Sequence, residues 1–359
     1  MKIITLIAFI AITTSCNLNT PTKQATKKEL KHEKKHKVKI QVIADKGKTI
    51  TIGEDVIFTY KTKDLPTPDS IKLSVDYKLF KKYIANEIIA FETKNLFPGN
   101  RQLQFVFYWG DTLTADKSMQ FEMLSDIIPH FYTFKVLKKW PHNTKSYTQG
   151  LEFLDGHLYE GTGNYGESML YKIDIDKNEV VQSLNLPKEV FGEGITIVNN
   201  KIYQLTWRSN TGYAYDKNTL NKLYEFTYPT EGWGLTNNGT ELIMSDGSEN
   251  IYYLDTEFIQ ETHKLQVYDN KGPIKSLNEL EYIGGLIYAN VYGTDEIVAF
   301  ESESGKVVKR IDLSGILNKN DVKTPIDVLN GIAWDNIKKR LIVTGKWWPY
   351  FYEIELVEK

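Results

Sequence analysis

The stretch Gln149-Gly150-Leu151-Glu152-Phe153-Leu154 opens a pattern that returns four times before the end of the chain. Each repeat begins with a polar or aromatic residue, continues with a small or acidic one and then has an aliphatic residue. The five openings are Gln149-Gly150-Leu151, Glu193-Gly194-Ile195, Trp233-Gly234-Leu235, Asn278-Glu279-Leu280 and Asn330-Gly331-Ile332. Two further strand-like segments follow each opening. Repeats of roughly 40 to 54 residues that each hold several short strands are typical of β-propeller blades.

The number of strands tests this interpretation. Four of the five repeats supply a fourth strand, near Val181, Leu223, Lys264 and Val308, whereas the last repeat supplies only three. The segment Phe131 to Leu137 has strand character and can complete the last blade, which removes two open sheet edges. We therefore predict an all-β fold with a five-bladed β-propeller over residues 131–359, closed by an N-terminal strand.

Propeller geometry locates a site at one mouth of the central channel. The innermost strand of each blade lines the channel, so the five openings meet at one end of it. Five residues into each second strand stand residues that face the same mouth, namely Gly163, Trp207, Gly247, Tyr292 and Lys346. A carboxylate, an ammonium, amides and aromatic rings around one cavity favour a ligand site. The alternative is a channel filled by side chains that only bond to one another.

Seven stretches around these positions resemble the plant and bacterial type of glutaminyl-peptide cyclotransferase. They are Tyr147-Thr148-Gln149-Gly150-Leu151, Phe191-Gly192-Glu193-Gly194, Gln204-Leu205-Thr206-Trp207, Glu231-Gly232-Trp233-Gly234-Leu235, Leu277-Asn278-Glu279-Leu280-Glu281, Leu329-Asn330-Gly331-Ile332-Ala333 and Thr344-Gly345-Lys346. The resemblance covers the whole predicted propeller, in order. It implies an enzyme that converts the N-terminal glutamine of peptides and proteins into pyroglutamate and releases ammonia.

The resemblance also implies roles for individual residues. Glu193 corresponds to the family's general acid/base, and the residues that correspond to the family's pocket are Gln149, Trp207, Trp233, Asn278 and Lys346. We expect Glu193, Asn278 and Lys346 to act in catalysis. We expect the substrate to be bound by Gln149, Tyr147, Trp207, Trp233, Tyr292 and Asn330. Tyr147 stands where the family often has Phe, and Tyr292 where it often has Trp.

The residue types suit this chemistry. One carboxylate can take a proton from the attacking α-amine and return it to the leaving nitrogen. Amide and ammonium donors can stabilise the oxyanion that forms on the γ-carboxamide, and removing one such donor typically costs about 2.7 to 4 kcal/mol of barrier. No cofactor is required. The six histidines show no zinc-ligand spacing with Cys, Asp or Glu, so we expect no catalytic metal.

Two other classes of function are compatible with a propeller fold. A non-catalytic surface propeller could bind peptide N-termini or glycans, because propellers host many functions. Glu193 argues against a binding module, which has no use for a titrating carboxylate at the mouth of the channel. A propeller hydrolase lacks support because the sequence offers no Ser/His/Asp arrangement.

The N-terminus reads as an export signal. An apolar run from Ile3 to Ile12 precedes Cys16, the single cysteine of the chain. The run is too short to span a bilayer, and Cys16 stands where a lipoprotein signal peptide is cut and acylated. An ordinary secretory peptide is the alternative. Residues 17–39 form a Lys- and Thr-rich tether, and we predict a protein that is exported and lipid-anchored to a bacterial membrane.

Residues 40–128 alternate in the manner of strands, for example in Asp55 to Tyr60 and Arg101 to Tyr108, with Gly and Pro between them. This pattern predicts a small β-sandwich of immunoglobulin-like type. It contains no cluster of catalytic residue types. A net charge of −2 gives no basic field for nucleic acid, and we expect a monomer whose partners are peptides and, through its anchor, the membrane.

Overall fold

The computed structural model describes residues 39–111, 113–318 and 322–359. These residues form strands and turns, and no helix among them has the length and apolar character needed to cross a bilayer. Residues Lys39–Lys359 make one compact unit. The predicted signal peptide with Cys16, and residues 17–38 of the predicted tether, lie outside the described residues.

The N-terminal region consists of two sheets. Its strands are β1 (Ile40–Ala44), β2 (Thr49–Thr51), β3 (Val56–Thr62), β4 (Ser70–Val75), β5 (Lys78–Ile84), β6 (Ile89–Phe91), β7 (Gly99–Trp109) and β8 (Leu113–Leu124). One sheet has the order β1-β3-β6 and the other the order β2-β8-β7-β4-β5. The sheets meet at Phe58, whose ring contacts Phe105 and Phe121 edge to face, with centroids 4.9 and 5.7 Å away. Alternate residues are buried at the start of β3, from Leu103 to Trp109 in β7 and at the end of β8, as expected for strands with one face on a core.

The remaining strands follow the predicted repeat. They are β9 (His130–Pro141), β10 (Thr148–Leu154), β11 (His157–Thr162), β12 (Met169–Asp174), β13 (Glu179–Asn185), β14 (Gly192–Val198), β15 (Lys201–Thr206), β16 (Thr211–Asp216), β17 (Lys222–Thr227), β18 (Leu235–Asn237), β19 (Glu241–Ser245), β20 (Asn250–Asp255), β21 (Glu261–Gln266), β22 (Leu277–Ile283), β23 (Leu286–Val291), β24 (Glu296–Glu301), β25 (Val307–Asp312), β26 (Leu329–Asp335), β27 (Arg340–Gly345) and β28 (Tyr350–Glu358). β10–β13, β14–β17 and β18–β21 form three antiparallel sheets, the first, second and third. An eight-stranded sheet has the order β22-β23-β24-β25-β9-β28-β27-β26.

The first strands of the five repeats form a ring. β10, β14, β18, β22 and β26 each contact the next, and β26 contacts β10. Burial falls from the ring outward: every residue of β14 is buried, whereas the outermost strand β13 is largely exposed. Apolar residues of adjacent sheets fill the space between them, as where Tyr159 of the first sheet clusters with Ile197 and Tyr213 of the second. The arrangement is propeller-like, with polar residues concentrated at the axis.

Strand β9 joins the last repeat to the one before it. It pairs antiparallel with β28 from Tyr350↔Pro141 to Glu358↔Tyr132, which is the pairing that the sequence predicted for Phe131 to Leu137. It also pairs in parallel with β25 over Lys309↔His130 to Ile311↔Tyr132, a contact that the sequence did not indicate. β9 therefore pairs with β28 along most of its length and with β25 at its first three residues, which joins the two repeats.

A buried histidine fastens the seam to the first sheet. His142 follows β9, and its Nε2 lies 2.9 Å from Oε1 of Glu160 in β11. Its Nδ1 lies 3.2 Å from Oγ1 of Thr344 in β27. The Thr344 hydroxyl donates its proton to the carbonyl of Tyr350, so its oxygen accepts from the ring. One side chain thus ties together the chain that follows β9, the first sheet and the last repeat.

The N-terminal sheets rest on the third repeat. The Asn100 backbone N–H donates to Oε1 of Gln266 at 2.8 Å, and Ser125 N–H donates to the Asp269 carbonyl at 3.1 Å. Gly99 has φ +122, and a Cβ there would collide with the Gln266 side chain. Glycine fits this position because it has no Cβ to collide with Gln266 and because residues with a side chain rarely adopt this φ.

Removing the closing strand tests the role of the seam. A fragment that begins near Ser125 should fold, because β9 and all its partners are kept. A fragment that begins near Lys139 loses most of β9 and leaves β25 and β28 as bare edges, which should make it aggregate. Solubility and thermal melting of the two fragments measure the difference; equal stability would contradict the role given to β9.

Candidate active site

A cavity of ≈ 310 Å³ opens at the end of the ring where β10, β14 and β22 begin. Ten residues line it: Tyr147, Gln149, Asn164, Phe191, Glu193, Trp207, Trp233, Asn278, Tyr292 and Lys346. Eight of these are candidate site residues of the sequence analysis, all except Asn164 and Phe191. The cavity lies where the five repeats converge, so its wall is assembled from segments far apart in the chain.

Irregular pairing of the inner strands aims the polar residues. Four of the five inner strands shift register against their neighbours at the opening of the repeat, between Thr148 and Gly150, Gly192 and Ile195, Leu277 and Leu280, and Leu329 and Ile332. Each shift contains the first residue of a repeat opening, which is Gln149, Glu193, Asn278 or Asn330. A β-bulge leaves a residue out of the ladder and re-aims its side chain, which is why bulges are frequent next to active sites.

Two of the five positions predicted to face the mouth from the second strands are glycines, and they make room for the cavity wall. A Cβ on Gly163 would collide with the Phe191 ring and lie 3.0 Å from Nε2 of Gln149. Gly247, with φ +82, faces the Trp233 indole, and a Cβ would lie 2.7 Å from that ring. The positions at which the sequence offers no side chain are therefore filled by side chains from neighbouring segments.

The carboxylate, the amide and the ammonium form one hydrogen-bonded series. Lys346 Nζ donates to Gln149 Oε1 at 2.7 Å, which leaves the Gln149 Nε2 to donate to Glu193 Oε1 at 3.4 Å. All three side chains are buried, with exposures of 2–5%. Gln149 therefore sits between the acid and the base and fixes where each points.

Burial dominates the electrostatics of the pair. Desolvation raises the pKa of Glu193 well above its usual value; Lys346 opposes this rise, and the charge of Glu231 adds to it. Desolvation also lowers the pKa of Lys346 to about 8, against the attraction of Glu193 and Asp327. Burial thus moves both pKa values toward neutral pH, where each group can give or take a proton at little cost.

Aromatic rings surround the polar series. Tyr147 meets Trp347 on one side and Phe191 on the other, and Phe191 meets Trp207, with centroids 4.7, 6.0 and 5.6 Å apart. Trp233 and Tyr292 form a second pair at 5.6 Å. The Lys346 ammonium lies 4.6 Å from the Tyr147 centroid and 5.2 Å from that of Tyr292.

Asn278 brings a buried polar atom without a protein partner to the cavity wall. Its side-chain oxygen is buried, and no hydrogen bond among the described residues satisfies it. The residue is 3% exposed, so bulk water does not replace the missing partner. A buried unsatisfied amide oxygen costs free energy, and a ligand that bonds to it recovers that cost.

The structure places Asn330 differently from the expectation. Asn330 does not line the cavity: it is fully buried, and its Nδ2 donates to the Thr148 carbonyl at 3.0 Å and lies 3.5 Å from Gln149 Oε1. The bulge that holds it packs against the first sheet, where its amide supports β10. Asn330 thus lies behind Gln149 and does not face the ligand space.

Three residues near the site were missed as functional candidates: Asn164, Phe191 and Glu231. Phe191 stands two positions before Glu193, as Tyr147 stands two before Gln149 and Glu231 two before Trp233. Residues two apart on an extended chain point to the same side. This spacing was the available signal for Phe191 and Glu231; Asn164 lies in a loop and gave none.

Below the cavity the channel is filled. Glu279 stands where the other four repeats have Gly150, Gly194, Gly234 and Gly331. Its carboxylate accepts from Leu151 N–H at 3.0 Å and from Ile332 N–H at 2.8 Å. The channel therefore holds a ligand cavity at its mouth and, below it, side chains that bond to the surrounding strands. Among the residues that the structure describes, no group of three or more His, Cys, Asp or Glu could hold a metal ion.

Fold and site together define an all-β, propeller-like enzyme with one buried carboxylate in an aromatic cavity. The family model described as glutamine cyclotransferase matches residues 111–356, and the chain belongs to this family. A glutaminyl-peptide cyclotransferase of Arabidopsis thaliana is 37% identical over 236 residues, which are 64% of this chain and 73% of the relative. The crystal structure of Myxococcus xanthus glutaminyl cyclase is 29% identical, with a TM-score of 0.61 over 65% of this chain and 100% of the other.

Proposed function

We propose that this enzyme closes the N-terminal glutamine of peptides into pyroglutamate with release of ammonia, and that Glu193 carries both proton transfers. Membership of the family supports the reaction. The observation that supports the role of Glu193 is its position: it is the one carboxylate among the cavity-lining residues, it is buried, and it lies beside an amide and an ammonium.

The first step is attack of the neutral α-amine on the γ-carbonyl carbon of the same residue. As the new C–N bond forms, the amine loses a proton to Glu193 and the carbonyl oxygen gains negative charge. Lys346 is placed to donate to that oxygen, since it has N–H groups beyond the one given to Gln149. Asn278 can donate to it through Nδ2, while its unsatisfied Oδ1 accepts from an N–H of the substrate. Donors fixed before reaction need no reorganisation when charge develops.

The second step returns the proton. Protonated Glu193 donates to the γ-nitrogen, the C–N bond to that nitrogen breaks, ammonia leaves and the carbonyl re-forms, so the carboxylate is regenerated. The aromatic rings hold the aliphatic stem of the glutamine and keep water away. An amine on the same molecule therefore attacks in place of water, because it is already positioned.

Replacing the carboxylate tests the proton shuttle. Glu193→Gln keeps the size of the side chain and should lower kcat by roughly 10²- to 10⁴-fold, the range for loss of a general acid/base. Ammonia release and the matching mass loss of a Gln-initiated peptide measure it. The exposed Glu189, on the same segment, gives the control Glu189→Gln. Near wild-type turnover by Glu193→Gln would refute the role.

The pH dependence tests Lys346. As pH rises, kcat should increase while Glu193 loses its proton and should fall above about 8, where Lys346 loses its own. Lys346→Met should lower kcat by about 10²-fold. It should also abolish the descending limb and move the ascending limb to higher pH, because the cation that lowers the pKa of Glu193 is gone. The exposed Lys188 gives the control Lys188→Met, and a descending limb that persists in Lys346→Met would assign it to another group.

The finer architecture is also our proposal. The first, second and third sheets, and the two halves of the eight-stranded sheet, are five blades, with β9 completing the fifth. The two N-terminal sheets form an immunoglobulin-like sandwich that lies outside the catalytic blades. We further propose that the enzyme is a monomer.

We propose that the enzyme is exported and held on a bacterial membrane by acylated Cys16, with residues 17–39 as the tether. The apolar run Ile3 to Ile12 followed by the single cysteine supports this. Cys16→Ala should move the protein from the membrane pellet to the soluble fraction of the cells that express it. Retention of Cys16→Ala in the pellet after a high-salt wash would show that the attachment is different.

A further inference from the structure

Glu231 bonds to both tryptophans of the cavity wall. Its Oε2 accepts from Trp207 Nε1 at 2.9 Å and from Trp233 Nε1 at 3.2 Å. Trp207 follows β15 of the second sheet and Trp233 precedes β18 of the third, so one carboxylate oxygen bridges two sheets. Glu231 itself does not line the cavity.

The second oxygen of Glu231 is also occupied. Oε1 accepts from Arg208 Nε at 3.0 Å, and the Arg208 guanidinium lies 3.7 Å from the Trp207 ring centroid. Burial raises the pKa of Glu231, but the bonds from Trp233, Arg208 and Trp207 together hold it below its ordinary value. The group is therefore an anion at neutral pH, and three donors surround it.

This geometry fixes the orientation of the rings. An indole has one N–H, and the position of its acceptor sets the rotation of the ring about its side-chain bonds. A glutamine in place of Glu231 has one oxygen and an NH₂ group that faces donors, so at least one of the three bonds is lost. An indole that loses its bond to this residue loses the contact that sets its rotation, and its packing in the pair Phe191–Trp207 or Trp233–Tyr292 changes with it.

We propose that Glu231 is a positioning residue for the cyclisation: it holds Trp207 and Trp233 in the orientation that confines the glutamine stem beside Glu193. The inference rests on the proposed function. It adds a second effect through charge, because the negative Glu231 lies close enough to Glu193 to favour its protonated form. Glu231 touches neither substrate nor reacting atoms, so both effects act through other side chains.

The test compares Glu231→Gln with Glu225→Gln in the full-length protein. Glu225 is an exposed glutamate of β17 paired with Lys222, and its change should leave activity unaltered. Glu231→Gln should lower kcat/KM by about 10²-fold, the loss that a misplacement of roughly 1 Å can cause. It should also move the ascending limb of the pH profile to lower pH, which a merely structural role would not do. Wild-type kcat/KM together with an unmoved limb would overturn the proposal.

Glu231→Asp separates geometry from charge and covers the case in which Glu231→Gln does not fold. Asp keeps the charge but its shorter side chain cannot reach both indoles, so kcat/KM should fall while the ascending limb stays at the wild-type pH. Tryptophan fluorescence during titration with a pyroglutamyl peptide should differ from wild type in both variants. Glu231→Asp equal to wild type in rate and fluorescence would overturn the proposal. A wild-type protein that releases no ammonia from Gln-initiated peptides would refute the proposed function instead, and the fluorescence comparison would still report on the indoles.

Discussion

The close approach of the inner strands at the axis is the constraint on which the rest of the structure depends. A Cβ on Gly150 would lie 2.5 Å from Ile195 N, and one on Gly194 would lie 2.5 Å from Leu235 N. A Cβ on Gly234 would collide with the Asn278 carbonyl. Side chains cannot occupy these points, so the strands of neighbouring sheets touch through their backbones. Glycine is required here by contact, since none of the three has a positive φ.

Backbone contact at the axis leaves N–H groups that no ladder pairs. Glu279 accepts two of them, from Leu151 and Ile332, and Glu152 accepts Ile197 N–H at 2.8 Å. Buried polar groups must be bonded, so carboxylates take the place of strand partners. Their burial has an electrostatic consequence: desolvation raises the pKa of Glu152 to about 7 and that of Glu279 well above its usual value. Desolvation at the neighbouring level of the axis likewise moves the pKa values of Glu193 and Lys346 toward neutral pH.

The seam and the site are physically coupled. Lys346 directly follows β27, which pairs with β28, and β28 is held in turn by β9. His142 bonds to Thr344, two residues before Lys346, and to Glu160, which also accepts from Thr148, one residue before Gln149. The bond between Lys346 and Gln149 spans 197 residues of sequence, and closure of the ring brings its ends together. A site at a junction of this kind gains its precision from the stability of the whole ring.

The sequence by itself determined the repeat, the strands within it, the closing segment and most of the cavity. Residues at matching positions of a repeat point to the same place, and Gln149, Glu193, Trp233 and Asn278 do so without any knowledge of their contacts. The resemblance in the seven stretches supplied the reaction. Tertiary structure decided what depends on the packing of one sheet against another. It placed Asn330 behind Gln149, set Glu231 between two indoles and added the parallel contact of β9 with β25. It also showed that desolvation affects the pKa of Glu193 more than the charge of Lys346 does. Periodicity along a chain fixes the direction of a side chain, but only the approach of other segments fixes its neighbours, its burial and hence its chemistry.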